Sequence, residues 1–93
     1  MTDTQDPLDN RRRRARYRAM HRGTKEMDWL LGRFADAELA AMEPDELAAF
    51  EDLLALPDPD IERWVTKTPE ERPDGAIGGL VMRLRRFHGL DTQ

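Results

Sequence analysis

Cysteine is absent from the 93 residues of the chain. The protein can therefore form no disulfide, hold no metal ion through thiolates and use no cysteine nucleophile. Chains without disulfides are typical of a reducing compartment. From this absence we expect a cytoplasmic protein.

Long apolar segments are also missing. No apolar run approaches the roughly 20 residues that a membrane-spanning helix needs, and the first residues lack the apolar stretch of a secretory signal. Aromatic residues make up 6% of the chain and charged residues 37%, which leaves little apolar material for an enclosed substrate pocket. We expect a soluble protein with one small domain over residues 1–93, with residues 1–6 and 89–93 as flexible tails.

Catalytic and metal-binding signatures are missing as well. The only histidines are His21 and His88, and the sequence contains no Gly-x-Ser-x-Gly, no phosphate-binding loop and no zinc-ligand spacing. Asp58, Asp60 and Glu62 alternate like the start of a calcium loop, but the glycine and the final glutamate of such a loop are absent. The sequence therefore predicts a binding protein with no catalytic residues and no metal site.

Positive charge is concentrated in one segment. Seven arginines lie between Arg11 and Arg22, and residues 11–25 contain no acidic residue. Residues 26–80 carry fifteen acidic and four basic residues, so the formal net charge of -4 conceals a strong asymmetry. Asymmetry of this kind favours a docking surface for a charged partner.

Three interpretations of the arginine-rich segment are open from the residues alone. It can be a solvated helical face, an arm that binds nucleic-acid phosphates, or a face that docks on an acidic protein surface. Tyr17 is the only aromatic residue within the segment, and the acidic remainder of the chain would repel a nucleic-acid backbone. The pattern of a nucleic-acid-binding domain is therefore incomplete.

The spacing of apolar residues and helix breakers predicts an all-α fold, a small bundle of about five short helices. Pro7 suits the first position of helix 1, Gly23 its end, and Thr24 the cap of helix 2. Trp29 lies about 150° from the centre of the apolar stripe of helix 2, so it can face solvent, helix 1 or a partner. The predicted core is made of Met27, Leu30, Leu31, Phe34, Leu47, Phe50, Leu53, Leu54, Ile61, Trp64, Val65, Ile77, Leu80, Val81 and Leu84.

Breakers also delimit the later helices. Pro44 suits the start of helix 3, and Asp58 suits the N-cap of helix 4 because a proline follows it. Helix 5 should run from about residue 74 to residue 87. Gly78 and Gly79 within it should allow another helix to approach closely.

The corner between helices 1 and 2 has the sequence Arg22-Gly23-Thr24-Lys25-Glu26. Gly23 as a C-cap, Thr24 as an N-cap and Glu26 in the first turn of a helix explain three of these positions as helix punctuation. Punctuation does not explain why an arginine-rich helix leads into a corner that is followed by a second acid, Asp28.

At these residues the chain resembles the SdhE-type family of succinate dehydrogenase assembly factors, whose mark is Arg-Gly-x-x-Glu. The upstream arginines, residues 50–54, residues 57–60 and Trp64 also resemble the family pattern, so the resemblance covers about residues 11–88. It implies a five-helix bundle that acts as a chaperone and promotes covalent attachment of FAD to the flavoprotein subunit of succinate dehydrogenase, or of fumarate reductase. The alternative is a basic-helix protein that binds nucleic acid or serves as a general adaptor.

The resemblance and the charge pattern together give a predicted client-binding site. In this hypothesis FAD is the cofactor of the client, this chain binds none stably, and the factor is a monomer that contacts neither nucleic acid nor the membrane interior. Tyr17 and Trp29 can lie in the core or at the interface. The predicted client-binding residues are Arg14, Tyr17, Arg18, Arg22, Gly23, Glu26 and Asp28.

Overall fold

A computed structural model of the protein describes residues 7–90. Within this range the chain forms five α-helices and no β-strand, which confirms the all-α prediction. The helices are α1 (Pro7–Met20), α2 (Lys25–Glu38), α3 (Pro44–Leu54), α4 (Asp58–Thr66) and α5 (Ala76–Phe87). Short 3-10 turns at Leu39–Ala41 and Pro69–Glu71 connect α2 to α3 and α4 to α5.

One apolar core joins the five helices. Helix α1 contributes mainly Ala15 and Ala19, so it packs closely on α2 through small side chains. Every predicted core residue is buried except Ile77, which is half-buried and packs against the core. No charged or polar residue among the described ones is fully buried, so charged groups lie on the surface or between helices.

Two details of helices α4 and α5 differ from the prediction. Helix α4 begins at Asp58, Pro57 occupies the N-cap position, and the Asp58 carboxylate binds Arg22 instead of capping the helix. A Cβ atom at Gly78 would lie 2.1 Å from the carbonyl oxygen of Pro73. The close approach is therefore made by the preceding loop and not by another helix, and a Cβ at Gly79 would meet nothing within 4 Å.

The C-terminal end of the described chain is held against the fold. The Leu90 backbone N–H donates to the Arg85 carbonyl oxygen, and the Leu90 side chain packs against the core. Gly89 and Leu90, which we predicted to belong to a flexible tail, lie within the described range, and residues 1–6 and 91–93 lie outside it. Among residues 7–90 every helix is too short or too polar to cross a membrane.

Candidate functional site

The corner between α1 and α2 is fixed by hydrogen bonds from backbone N–H groups to side-chain oxygens. The Thr24 side chain caps α2 by accepting a hydrogen bond from the Met27 N–H at 3.2 Å, and Asp28 Oδ1 accepts the Arg22 backbone N–H at 2.6 Å. Gly23 has a φ of 126°, a backbone conformation that residues other than glycine rarely adopt. The turn therefore requires glycine at position 23, a cap at 24 and an acid at 28.

The guanidinium of Arg22 points into the fold. Its Nε and Nη2 donate to Asp58 Oδ1 at 2.8 and 2.5 Å, and its Nη1 donates to the Leu54 carbonyl oxygen at 2.7 Å. Nη2 also lies 3.2 Å from the Leu56 carbonyl oxygen, and only 9% of the side chain is exposed. Arg22 thus ties the α1–α2 corner to the α3–α4 turn, which differs from the surface contact that we expected of it.

Of the three fixed positions of the Arg-Gly-x-x-Glu motif, Gly23 and Glu26 are the exposed ones. Both residues are exposed, and a Cβ at Gly23 would meet no atom within 4 Å, so the surface above the corner is open. Glu26 forms no ion pair within residues 7–90. The Glu26 carboxylate is therefore exposed and unpaired within residues 7–90, whereas Asp28 is committed to the turn.

Several arginines of α1 are occupied by contacts with other parts of the chain. Arg11 donates to Glu51 of α3 at 3.1 and 2.8 Å, Arg16 pairs with Asp36 of α2 at 3.0 Å, and Arg12 donates to the Met42 carbonyl oxygen at 2.8 Å. These contacts hold α1 against α2, α3 and the connection between them.

The Arg11–Glu51 pair also shifts the titration of both groups. The hydrogen bonds from Arg11 lower the pKa of the Glu51 carboxyl, burial opposes this shift, and the positive charges of Arg11, Arg18 and Arg14 lower the pKa further. The pKa of Arg11 is raised for the reciprocal reason. Arg14 and Arg18 thus lie near enough to Glu51 to act on it electrostatically.

The remaining arginines of α1 form a free cationic face. Arg13, Arg14 and Arg18 are exposed, and none of them has an ion pair within residues 7–90. Tyr17 lies on the same face and is 64% exposed. The structure therefore brings three of the predicted client-binding residues together on one side of α1: Arg14, Tyr17 and Arg18.

His21 and Trp29 flank the corner on either side of the α1–α2 contact. The His21 ring stacks on Tyr17 with the ring centroids 4.0 Å apart, and its Nδ1 donates to the Tyr17 carbonyl oxygen at 2.8 Å, since a carbonyl oxygen can only accept. Trp29 is 48% exposed and leans on the His88 ring at 4.3 Å. Tyr17 and Trp29 are therefore both surface residues, and neither belongs to the core.

Sequence reasoning missed two residues of this site. Asp58 is the partner of Arg22 across 36 positions of sequence, and no local pattern indicates such a pair. His21 lines two grooves, one with Tyr17 and Arg18 and one with Trp29. Its position directly before the motif was the one available signal.

The fold and the site define a small all-α protein that presents a charged corner with open grooves at its surface. A family model described as the flavinator of succinate dehydrogenase matches residues 13–88. Over 87 residues the chain is 39% identical to the FAD assembly factor SdhE of Acetobacter pasteurianus, covering 88% of this chain and 80% of that protein. The chain belongs to this family of succinate dehydrogenase flavinators.

Mitochondrial relatives in yeasts are similar to the same region. The chain is 40% identical over 87 residues to succinate dehydrogenase assembly factor 2 of Saccharomyces cerevisiae, covering 90% of this chain and 54% of that protein. For the protein of the same name in Debaryomyces hansenii the identity is 39% over 70 residues, covering 75% and 49%. The chain thus spans about half the length of these yeast relatives.

Proposed function

We propose that this protein is an assembly factor for succinate dehydrogenase that binds the flavoprotein subunit and promotes covalent attachment of FAD to it. Fumarate reductase is a further client in this proposal. Family membership and the names of the relatives support the role in flavinylation. The binding surface is our inference from the geometry of the corner.

The observation that carries the proposal is the exposed corner at Gly23 and Glu26. A backbone without a side chain at Gly23 lets a partner approach to van der Waals distance, and Glu26 next to it is a carboxylate without an ion pair in the described chain. Exposed cations at Arg14 and Arg18 lie on α1, the helix that leads into the corner. Such charges accelerate encounter with an acidic surface and fix the orientation of docking.

The factor acts in this proposal by positioning and not as an enzyme. Holding reacting groups in near-attack geometry can supply about 7–11 kcal/mol of a reaction barrier without any catalytic side chain. FAD stays with the client, this chain adds no stable flavin site, and the protein works as a monomer in the cytoplasm. Arg22, held by Asp58, keeps the corner in the shape that docks.

Contacts within the fold make a nucleic-acid partner the weaker alternative. Arg11, Arg12, Arg16 and Arg22 bind carboxylates or carbonyl oxygens of this chain, so fewer cations remain for phosphates than the sequence suggests. A surface that combines the carboxylate of Glu26 with a few arginines fits a protein of mixed charge better than a uniform polyanion.

Glycine variants at the corner test the proposal. The flavoprotein subunit is co-expressed with wild-type factor, with no factor, and with Gly23→Ala or Gly23→Arg, and covalent flavin is measured by fluorescence of the denatured client. Any side chain at the positive φ of position 23 strains the backbone, and a Cβ there meets no other atom within 4 Å. Both variants should therefore lose similar stability, about 1–3 kcal/mol. Only the arginine side chain projects far enough to block docking, so Gly23→Arg should flavinylate far less than Gly23→Ala.

Thermal unfolding of both purified variants controls for folding. Equal flavinylation by Gly23→Ala and Gly23→Arg, with both folded, would remove the corner from the docking surface. Equal flavin content with wild-type factor and with no factor would overturn the proposed function itself.

A further inference from the structure

A groove between α1 and α2 begins at the corner and runs along the exposed side of α2. It has a volume of about 490 Å³ and a largely apolar lining. Its floor is Gly32, where the helices are so close that a Cβ would lie 3.1 Å from Met20 Cγ. His21 and Trp29 line the groove from the two helices, and Asp28, Arg33 and Asp36 add polar edges.

Trp29 is held in place although about half of it faces solvent. Its ring leans on His88 at 4.3 Å, and His88 is fixed by a 2.8 Å hydrogen bond from Nε2 to the Leu30 carbonyl oxygen. An exposed aromatic ring that is already ordered loses little conformational entropy on binding, which is why tryptophan is enriched among the residues that dominate interface energies.

The groove is continuous with the corner. Asp28 lines the groove and also accepts the Arg22 backbone N–H, and Glu26 lies one helical turn before Trp29 on the exposed side of α2. His21 lines both this groove and the smaller one formed with Tyr17 and Arg18. A partner seated on Gly23 and Glu26 therefore extends naturally over Trp29.

Charge at the rim indicates the chemistry of the occupant. Asp36 forms an ion pair with Arg16, and Asp28 accepts the Arg22 backbone N–H at the corner. Arg33, which is exposed, has no ion pair within residues 7–90. An acidic group on the partner would satisfy this cation, while an apolar side chain would fill the space beside Trp29.

We propose that this groove receives an apolar side chain of the client flavoprotein, with an acidic client residue nearby that pairs with Arg33. This inference rests on the proposed function and adds to it a specific contact on α2, outside the Arg-Gly-x-x-Glu motif. Trp29 is the anchor of the contact, His21 and His88 hold its surroundings, and Arg33 sets the register of the bound segment.

Fluorine NMR with 5-fluorotryptophan tests the contact directly. The chain has two tryptophans, Trp29 at the groove and Trp64 in the core with 8% exposure, so Trp64 provides an internal reference. Addition of the unlabelled flavoprotein subunit, prepared without covalent flavin, should shift or broaden the Trp29 resonance more than that of Trp64. Client binding without a change at Trp29 would overturn the groove assignment and leave the proposed function intact.

Affinity measurements with variants complete the test. Trp29→Ala should weaken binding of the same subunit by about tenfold or more, since truncated aromatic anchors commonly cost that much. Arg33→Glu should weaken it as well, whereas Arg86→Glu, a control at an exposed arginine of α5, should not. Wild-type affinity for both Trp29→Ala and Arg33→Glu would contradict the proposal.

Two further outcomes separate the alternatives. A Trp29 resonance that shifts with factor concentration in the absence of client would assign the groove to a second copy of this chain and overturn the proposal. Failure of the wild-type factor to bind the subunit at all would overturn the proposed function together with the groove assignment.

Discussion

Arg22 stabilises the protein by joining two turns that are more than thirty residues apart in sequence. Its guanidinium donates to one carboxylate and two backbone carbonyl oxygens, and it is nearly removed from solvent. Hydrogen bonds from a charged donor are stronger than neutral ones, and removing one partner leaves the others unsatisfied. We therefore expect that mutation of Arg22 lowers flavinylation by displacing the corner, because its guanidinium is engaged in contacts within the fold.

The first prediction concerns the ion pair between Arg22 and Asp58. Arg22→Ala should lower the free energy of unfolding by about 2–3 kcal/mol, because it leaves Asp58 and two carbonyl oxygens without their donor. Urea denaturation of the purified variant measures this change. In the Arg22→Ala, Asp58→Ala double variant the two losses should overlap, giving less than their sum. Strictly additive losses would show that the two side chains do not stabilise each other.

The residue types at the corner could be interpreted from sequence, but their contacts could not. Gly23 and Thr24 act through neighbouring backbone, so the positive φ of Gly23 and the cap at Thr24 follow from local rules and are confirmed by the structure, although α1 ends at Met20 and not at Gly23. Arg22 acts through Leu54, Leu56 and Asp58, and no local pattern specifies partners at that distance. Whether Gly23, Glu26 and the exposed arginines contact a client stays a prediction.

Among the helices, α5 depends on close contact with the loop that precedes it. Gly78 lies against the Pro73 carbonyl oxygen, whereas Gly79 faces open space in the same helix. Position 79 therefore has room for a side chain and position 78 does not, a difference that the sequence of two adjacent glycines does not reveal.

The second prediction uses these glycines as a matched pair. Gly78→Ala should lower the free energy of unfolding by about 1–3 kcal/mol, because the added Cβ must displace backbone. Gly79→Ala should raise it by up to about 1 kcal/mol, since alanine favours the helix and has room there. Urea denaturation of both variants checks the pair, and similar effects of the two substitutions would show that Pro73 does not crowd Gly78.

The third prediction concerns the contact between α1 and α3. Arg11 lowers the pKa of Glu51 below the ordinary 4.5, so the folded protein binds fewer protons at this site than the unfolded chain. The stabilisation is then complete above pH 4.5 and is lost as the pH falls through the lower, folded-state pKa. Glu51→Gln should reduce the Tm at neutral pH, and the difference from wild type should shrink in acid.

Asp52→Asn is the control for this pH dependence, because Asp52 is exposed on the same helix and has no ion pair within the described range. Its effect on the Tm should be small, as is usual for an exposed charge. A difference between wild type and Glu51→Gln that stays constant from neutral pH to acid would contradict the assignment of the pair.

The helices themselves could be predicted from sequence because their limits are local. Pro7, Pro44 and Thr24 each act within one turn of chain, and the apolar spacing of α2 identifies its buried side. The approach of a loop to Gly78 and the use of Asp58 as an ion-pair partner depend on the packed arrangement of several helices. They could be found only in the three-dimensional structure.

At the scale of the whole molecule, the fold divides the arginine-rich segment into two groups. Arginines that face α2 and α3 bind acids or carbonyl oxygens of the chain, and the exposed ones without an ion pair in the described range share a face with Tyr17. The charge asymmetry of the sequence is thus partly a means of holding α1 in place. The free remainder suits electrostatic steering of a partner.

The fourth prediction concerns this steering. The double variant Arg14→Glu, Arg18→Glu should slow association with the flavoprotein subunit by about tenfold at low salt, with a smaller change in the dissociation rate. Added salt should reduce the difference from wild type, because exposed charges are screened. Arg86→Glu on α5 is the control. Rates that are unchanged, or equally changed by the control, would show that this face does not guide the encounter.

We propose that the exposed corner, and Glu26 in particular, docks the client for flavin attachment. The most direct test is the covalent flavin content of the flavoprotein subunit co-expressed with Glu26→Ala or with Glu70→Ala, a matched control at an exposed glutamate outside the site. If the corner docks the client, Glu26→Ala should reduce the covalent flavin content of the client towards the value seen without any factor. Glu70→Ala should give the same flavin content as the wild-type factor. Wild-type flavin content with a folded Glu26→Ala factor would contradict the claim.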